Sequence, residues 1–441
     1  MRTGIKTFSR NLGAKIRHPV PLLDQKSHGI FPERGGPALK NRFKAYSLTN
    51  LLREEKIEGK LGTLHCKPHP IAIKVWQQLL EYNPNHLGNW SIKGIKGIQG
   101  TRAIERDLIS AMVGLLGGER RHWEGYVTTG GTESNLYCCW VGRKYLEQYA
   151  KKREICLLRT SLSHYSLRKS ADVLGLNCQL VNLNLLSWGM DSKDLEKVVI
   201  RLKRKSFKAF LLPLTLGYTQ TGTNDDFEVL LEKTKILEGR LKVKFFVWID
   251  AALSGLVLPF VEKNFKPLAN KGLSAFFLDF HKFGFSPIGS GMVIYRGRLR
   301  KLIEKEIPYL DEKDNTLSGS RSGIATVAFW FVINTLGKQG FRLAVISCLK
   351  RKERFINIIH KSGLKAEVIT NKYSINLGLI SKTKTLFSAK MREKYRLVEG
   401  GAKIKFEQGG QTDLKIFKIY IMPHTRDELL DEFELDMAEE N

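Results

Sequence analysis

The sequence predicts an α/β fold built on a mostly parallel sheet. Short apolar runs, among them Ile155–Leu158, Ala209–Leu214 and Phe245–Ile249, alternate with longer segments of helical period. Polar or glycine-rich turns follow those runs, as expected where strands end and helices begin. Thirty-nine glycines in 441 residues supply the tight turns such an architecture needs.

Taken in order, residues 1–65 read as a basic, weakly patterned arm with a short helix near 46–57 and breakers at Pro19, Pro21, Pro32 and Pro37. Residues 69–82 have helical spacing, and 83–91 form a loop. Residues 101–116 form an amphipathic helix with Ile104, Leu108, Ile109, Met112 and Leu115 on one face, ended by Gly117-Gly118. Tyr126-Val-Thr-Thr-Gly-Gly-Thr-Glu-Ser-Asn135 then runs into a helix over 136–149. A glycine-rich turn opening a helix offers free N–H groups and a positive dipole end, which suits an anion. The spacing is neither that of a P-loop nor that of a dinucleotide fingerprint.

The middle continues the alternation. Strands are expected at 155–158, 180–183, 209–214 and 245–249, with helices at 162–174, 192–205 and 227–237. Ser274-Ala-Phe-Phe-Leu-Asp-Phe-His-Lys282 reads as another buried strand ending in a polar cluster. A basic helix over 299–307 follows, then a helix over 324–336. The remainder reads as a smaller α+β unit, with helices at 340–362 and 384–397, strands at 365–369, 374–380 and 414–421, and a short helix after His424. The expected domains are the arm 1–65, a large α/β domain 66–310 and a small domain 311–441.

Ligands of such sheets gather at the carboxyl ends of the strands. His164, Thr219, Asp250 and Lys282 each follow a strand, and Gly130-Gly131-Thr132 lies at another turn. A lysine leaving a buried strand is desolvated toward its neutral amine. A neutral amine can form a Schiff base with an aldehyde.

Composition narrows the function classes. Lys+Arg 72 less Asp+Glu 44 gives a net charge of +28. The basic residues are dispersed, without aromatic interleaving or a nucleic-acid motif, so an evenly basic surface is favoured over a nucleic-acid groove. The six cysteines show no CxxC pair, so no zinc or other metal site is expected, and their apolar surroundings fit free thiols in a reducing compartment. No apolar run reaches the roughly 20 residues of a membrane span. The first 20 residues lack an apolar core, so a basic arm is favoured over a secretory or transit segment, and a cytoplasmic location is expected.

The motifs Thr129-Gly-Gly-Thr-Glu-Ser-Asn135, Ser163-His-Tyr-Ser166, Asp250-Ala-Ala, His281-Lys282 and Ser318-Gly-Ser-Arg321 stand in one order. Together they resemble the group II pyridoxal-phosphate-dependent (PLP-dependent) amino-acid decarboxylases. Tyr309-Leu, the segment around Ser318-Gly-Ser-Arg321 and Ile421-Met-Pro-His424 resemble the histidine/serine decarboxylase branch. The likeness covers about 85–441. It implies the aspartate-aminotransferase fold (fold type I), with a mostly parallel seven-stranded sheet and a smaller C-terminal domain. It implies decarboxylation of a histidine- or serine-like L-amino acid to amine and CO2, in a homodimer with shared sites.

The resemblance also implies roles. Lys282 holds the cofactor aldehyde, and Asp250 pairs with the pyridinium nitrogen. His164 stacks on the ring and assists the reacting carbon. Gly131, Thr132 and His281 hold the phosphate, Thr219 lies near the ring hydroxyl, Ala252 packs on the ring face, and Ser320 reaches a neighbouring subunit's phosphate. Asp279-Phe-His-Lys282 departs from the branch's Ser-Gly-His-Lys and looks more like sphingosine-phosphate lyases and archaeal tyrosine/aspartate decarboxylases. A carbon–carbon lyase is therefore the alternative enzyme reading. A nucleic-acid-binding protein on a retired enzyme scaffold is the alternative of another class.

Overall fold

Three strands of the chain are apolar almost throughout, and burial on both faces of a sheet is what such strands require. In the computed structural model, which describes residues 58–88, 100–309, 312–381, 386–405 and 411–440, they lie at the centre of a seven-stranded sheet. The helix expected near 46–57 falls outside the described residues.

In chain order the strands are β1 Asn85–Leu87, β2 Trp123–Thr128, β3 Ile155–Arg159, β4 Asn177–Leu180, β5 Ala209–Thr215, β6 Lys244–Asp250, β7 Ala275–Asp279, β8 Gly291–Arg296, β9 Lys305–Ile307, β10 Glu312–Asp314, β11 Ser320–Ser322, β12 Ala366–Ile369, β13 Asn376–Ser381, β14 Val398–Lys405 and β15 Gln411–Tyr420. The large sheet has the order β2-β8-β7-β6-β5-β3-β4. β8 runs antiparallel to both its neighbours, and the pairs among β3 to β7 are parallel. The carboxyl ends of β2, β3, β5, β6 and β7 therefore open on one edge.

Helices cover both faces. Gly131–Leu146 and Ser166–Leu174 pack with Phe246, Trp248 and Phe277 on one side. Arg102–Leu115, Ser192–Arg204 and Phe227–Leu241 pack with Phe210, Phe245 and Phe276 on the other. A second, antiparallel sheet of order β12-β13-β15-β14 carries the C-terminal part, with the helix Asp427–Glu440 against it through Leu430 and Phe433.

Several expectations need correction. The strand placed at 180–183 is β4 at 177–180, a sheet edge, and Leu183 instead bridges Met190. The basic helix of 299–307 is a tight 3-10 turn over Gly297–Leu302 followed by β9. Pro308 disfavours the helical region for Ile307 and so favours the strand. The helix placed at 384–397 spans Ala389–Tyr395, because the Ser388 hydroxyl accepts from the Met391 N–H and caps it there. Gly337, at φ +58°, breaks the run Ile324–Lys361 into the two expected helices. β2, β8 and β14 were not foreseen. In β2, Gly125 allows the backbone of Val293 to lie where a Cβ would be 2.3 Å from its carbonyl oxygen.

Residues 60–69 run across the body as a strap. Leu61 N–H donates to the Tyr395 carbonyl at 3.0 Å, and Cys66 N–H donates to the Lys282 carbonyl at 3.0 Å. The strap thus ties the C-terminal unit to the turn that carries Lys282. All six cysteines are free thiols.

Candidate active site

The edge where five strand ends meet holds a cavity of about 280 Å³. Gly131, Thr132, His164, Thr219, Asp250, Ala252, His281 and Lys282 all line it, so eight of the nine residues singled out in the sequence come together. Ser320 does not. It is exposed on β11, which pairs with β1, and its hydroxyl accepts from Asn85 Nδ2 at 3.3 Å. Its neighbour Arg321 anchors that segment inward, donating to buried Glu105 at 3.2 Å. The following helix has Gly323 at its N-cap with no side-chain cap, and the Ser322 hydroxyl accepts from Ile324 N–H just before it.

One end of the cavity is a helix start. The helix begins at Gly131 rather than at 136, so Thr132, Glu133 and Asn135 lie in its first turns. Gly130 has φ +136°, a conformation open to glycine, and a Cβ there would sit 3.0 Å from the His281 ring. Glu133 is fully engaged. It accepts from Thr129 N–H and hydroxyl, both at 2.8 Å, from Tyr126 hydroxyl at 3.0 Å and from Ser318 hydroxyl at 2.9 Å. His281 Nδ1 donates to the Ser290 carbonyl at 2.8 Å, which turns Nε2 the other way.

Asp279 stands beneath this end. Its Oδ2 is 3.4 Å from Lys282 Nζ and 3.7 Å from His281 Nε2. Its Oδ1 is buried without a hydrogen-bond partner. The carboxylate fits only because Gly291 is its cross-strand partner, where a Cβ would meet Oδ1 at 2.7 Å. Lys282 itself sits on a single helical turn, Phe280–Phe283, and is 9% exposed.

The other end is built around Asp250, 5% exposed at the end of β6. Oδ2 accepts from Asn135 Nδ2 at 3.1 Å, and Oδ1 from Ala252 N–H at 3.2 Å. Burial pushes this carboxyl above its ordinary range, while Lys282, His164 and those two donors pull against the rise. His164 follows β3, with Nδ1 2.8 Å from the Ser166 hydroxyl. Burial holds its imidazole below the usual range, Asp250 and Asp279 oppose that, and Lys282 reinforces it.

Asn135, Ser166 and Glu133 are site residues to which sequence reasoning assigned no role. Asn135 was legible in principle, because it lies three residues beyond Thr132 on the same helix face. Nothing local marks Ser166 or the Tyr126–Glu133 contact.

The cavity offers an amine, a helix N-terminus with a histidine for an anion, and a buried carboxylate opposite. That donor set fits pyridoxal phosphate. The family model of the pyridoxal-dependent decarboxylase conserved domain matches residues 104–381. The chain belongs to the pyridoxal-dependent decarboxylase family. It is a PLP-dependent amino-acid decarboxylase, a lyase. A tryptophan decarboxylase of Clostridium sporogenes is 29% identical over 365 residues, 81% of this chain and 84% of that one. A probable L-tyrosine/L-aspartate decarboxylase of Methanothrix thermoacetophila is 28% identical over 420 residues, 93% and 97% of the two chains. The solved L-methionine decarboxylase of Streptomyces sp.590 shares the fold, with a TM-score of 0.79 at 17% identity over 95% of this chain and 98% of that one. Among the described residues no helix is long and apolar enough to cross a membrane, and no cluster of metal-binding side chains occurs.

Proposed function

We propose that this cleft removes the carboxyl group of a histidine- or serine-like L-amino acid, within a homodimer divided into the large and small domains drawn above. One observation carries the reading of the site: Lys282 and Asp250 face one cavity from the ends of adjacent parallel strands, with His164 on its wall. The choice of side chain rests on Ser318-Gly-Ser-Arg321 and Met422-Pro-His424 rather than on the cavity.

When bound, pyridoxal phosphate supplies an electron sink for the pair released with CO2. The chain does the rest. Lys282 Nζ would hold the cofactor's aldehyde covalently. Asp250 holds a proton at the ring nitrogen, since a buried carboxylate stabilises an adjacent cation. The Gly131 N–H, the Thr132 hydroxyl and His281 bind the phosphate at the positive end of their helix. Ala252 and His164 would bracket the ring and orient the substrate, with Thr219 toward its hydroxyl.

Amine formation over a panel of histidine, serine, tyrosine, tryptophan, aspartate and glutamate tests the choice of substrate. Turnover of histidine or serine above the rest is expected. Preference for an aromatic or acidic amino acid overturns the side-chain assignment and leaves the decarboxylase in place.

A further inference from the structure

Asp250 and His164 are joined by a hydrogen-bond chain whose direction is fixed by two donor-only groups. The indole Nε1–H of Trp248 donates to Asn135 Oδ1 at 3.1 Å. An indole nitrogen cannot accept, so the amide of Asn135 has one orientation. Its Nδ2 then spends its two hydrogens on Asp250 Oδ2 at 3.1 Å and on Ser166 Oγ at 3.0 Å. The Ser166 hydroxyl, which accepts from Asn135, lies 2.8 Å from His164 Nδ1. The Ser166 backbone N–H points at the same nitrogen from 3.4 Å. A backbone N–H can only donate, so Nδ1 is the acceptor and the hydroxyl's single hydrogen turns to it.

We propose that Asn135 and Ser166 are positioning residues that lock His164 as the Nε2–H tautomer, presenting a hydrogen-bond donor to the cleft. Asn135 is 0% and Ser166 1% exposed, so water does not compete for these bonds. The depressed basicity of the buried imidazole keeps the ring neutral, the state in which a tautomer has meaning. Nδ1 is turned to Ser166, which leaves Nε2 free of that contact on a residue that lines the cavity. A donor there fits a substrate carboxylate or a carbanion awaiting its proton. An acceptor would repel both. The same chain binds Asp250, so the group that serves the ring nitrogen and the group that serves the reacting carbon share one rigid support. This use of His164 rests on the decarboxylase reading. The lock itself does not.

Histidine-specific isotope labelling of the full cofactor-free chain reads the tautomer directly, with His164→Gln assigning the resonance. Wild type is expected to show a protonated Nε2 and an unprotonated Nδ1. Ser166→Ala should convert this to a mixture of tautomers, and Ser166→Thr should restore the wild-type pattern. In the cofactor-loaded enzyme Ser166→Ala should lose about 100-fold in amine formation, the scale of a misplaced acid–base group, and its pH profile should move. Ser166→Thr should recover both. A wild-type His164 protonated at Nδ1, or a Ser166→Ala variant with an unchanged tautomer, overturns the proposal. An enzyme that forms no amine at all overturns the decarboxylase reading, while the tautomer spectrum still decides the lock.

Discussion

The two ends of the cavity each contain a buried carboxylate, and they are built differently. Asp250 has both oxygens engaged, by Asn135 and by Ala252 N–H, and its supports are themselves anchored by Trp248 and Ser166. Asp279 has one oxygen near Lys282 and His281 and the other buried without a partner. A satisfied buried network is rigid, whereas an orphaned buried oxygen costs free energy until something completes it. The ring end is thus preorganised. The Asp279 end holds Lys282 and His281 in contacts that a ligand must rearrange.

The largest effect that separates the ends comes from the residue between them. Lys282→Ala should eliminate measurable amine formation and covalent retention of the cofactor, read by product analysis and by protein mass after borohydride reduction. Next comes Asp250→Asn, which keeps the shape of the preorganised end and removes its charge. A loss of about 100- to 1000-fold in turnover is expected, the scale of deleting a preorganised electrostatic partner. Cofactor affinity should change far less than turnover, and equal losses in both would show that Asp250 serves binding alone.

Asp279→Asn tests the unfinished end. It removes a charge facing Lys282 and His281 and frees both for an anion. Inorganic phosphate should bind the cofactor-free chain about tenfold more tightly, the size of one close charge interaction at a partly screened site. Weaker binding would mean that Asp279 organises the cradle instead of opposing its ligand.

The contrast between the ends explains what could be read ahead of the structure. The strand-end positions of His164, Asp250 and Lys282 were legible because buried parallel strands are nearly continuous apolar runs with abrupt polar ends. The glycine turn before Thr132 was legible because a helix start has few sequence solutions. β2 and β8 were not, since their glycines serve close backbone approach within a sheet. Ser166 was not, because hydrogen-bond direction leaves no mark on spacing, and Asn135 offered only its place three residues beyond Thr132 on the same helix. Ser320, expected to reach a neighbouring subunit's phosphate, lies outside this chain's own cavity, on a short strand pairing whose register no local pattern encodes.

The last effect lies behind the site and falls on stability rather than activity. Asp225 is buried, accepts from Thr215 N–H, Met190 N–H and the Tyr218 hydroxyl, and is pushed up by burial from 3.8 to about 6. The folded chain therefore binds this proton more tightly than the unfolded chain. Its contribution is present at low pH and is lost as pH rises from about 4 to about 6, by about 3 kcal/mol at most. Denaturant unfolding of the cofactor-free chain across that window should show this loss, and Asp225→Asn should flatten it.

The central claim is that one lysine at this strand end carries the cofactor. Peptide mapping after borohydride reduction of the loaded enzyme tests it most directly. The modification should fall on Lys282 in the peptide that also contains Asp279 and His281. A modification on any other lysine, or none under conditions that keep the chain folded, would contradict the account.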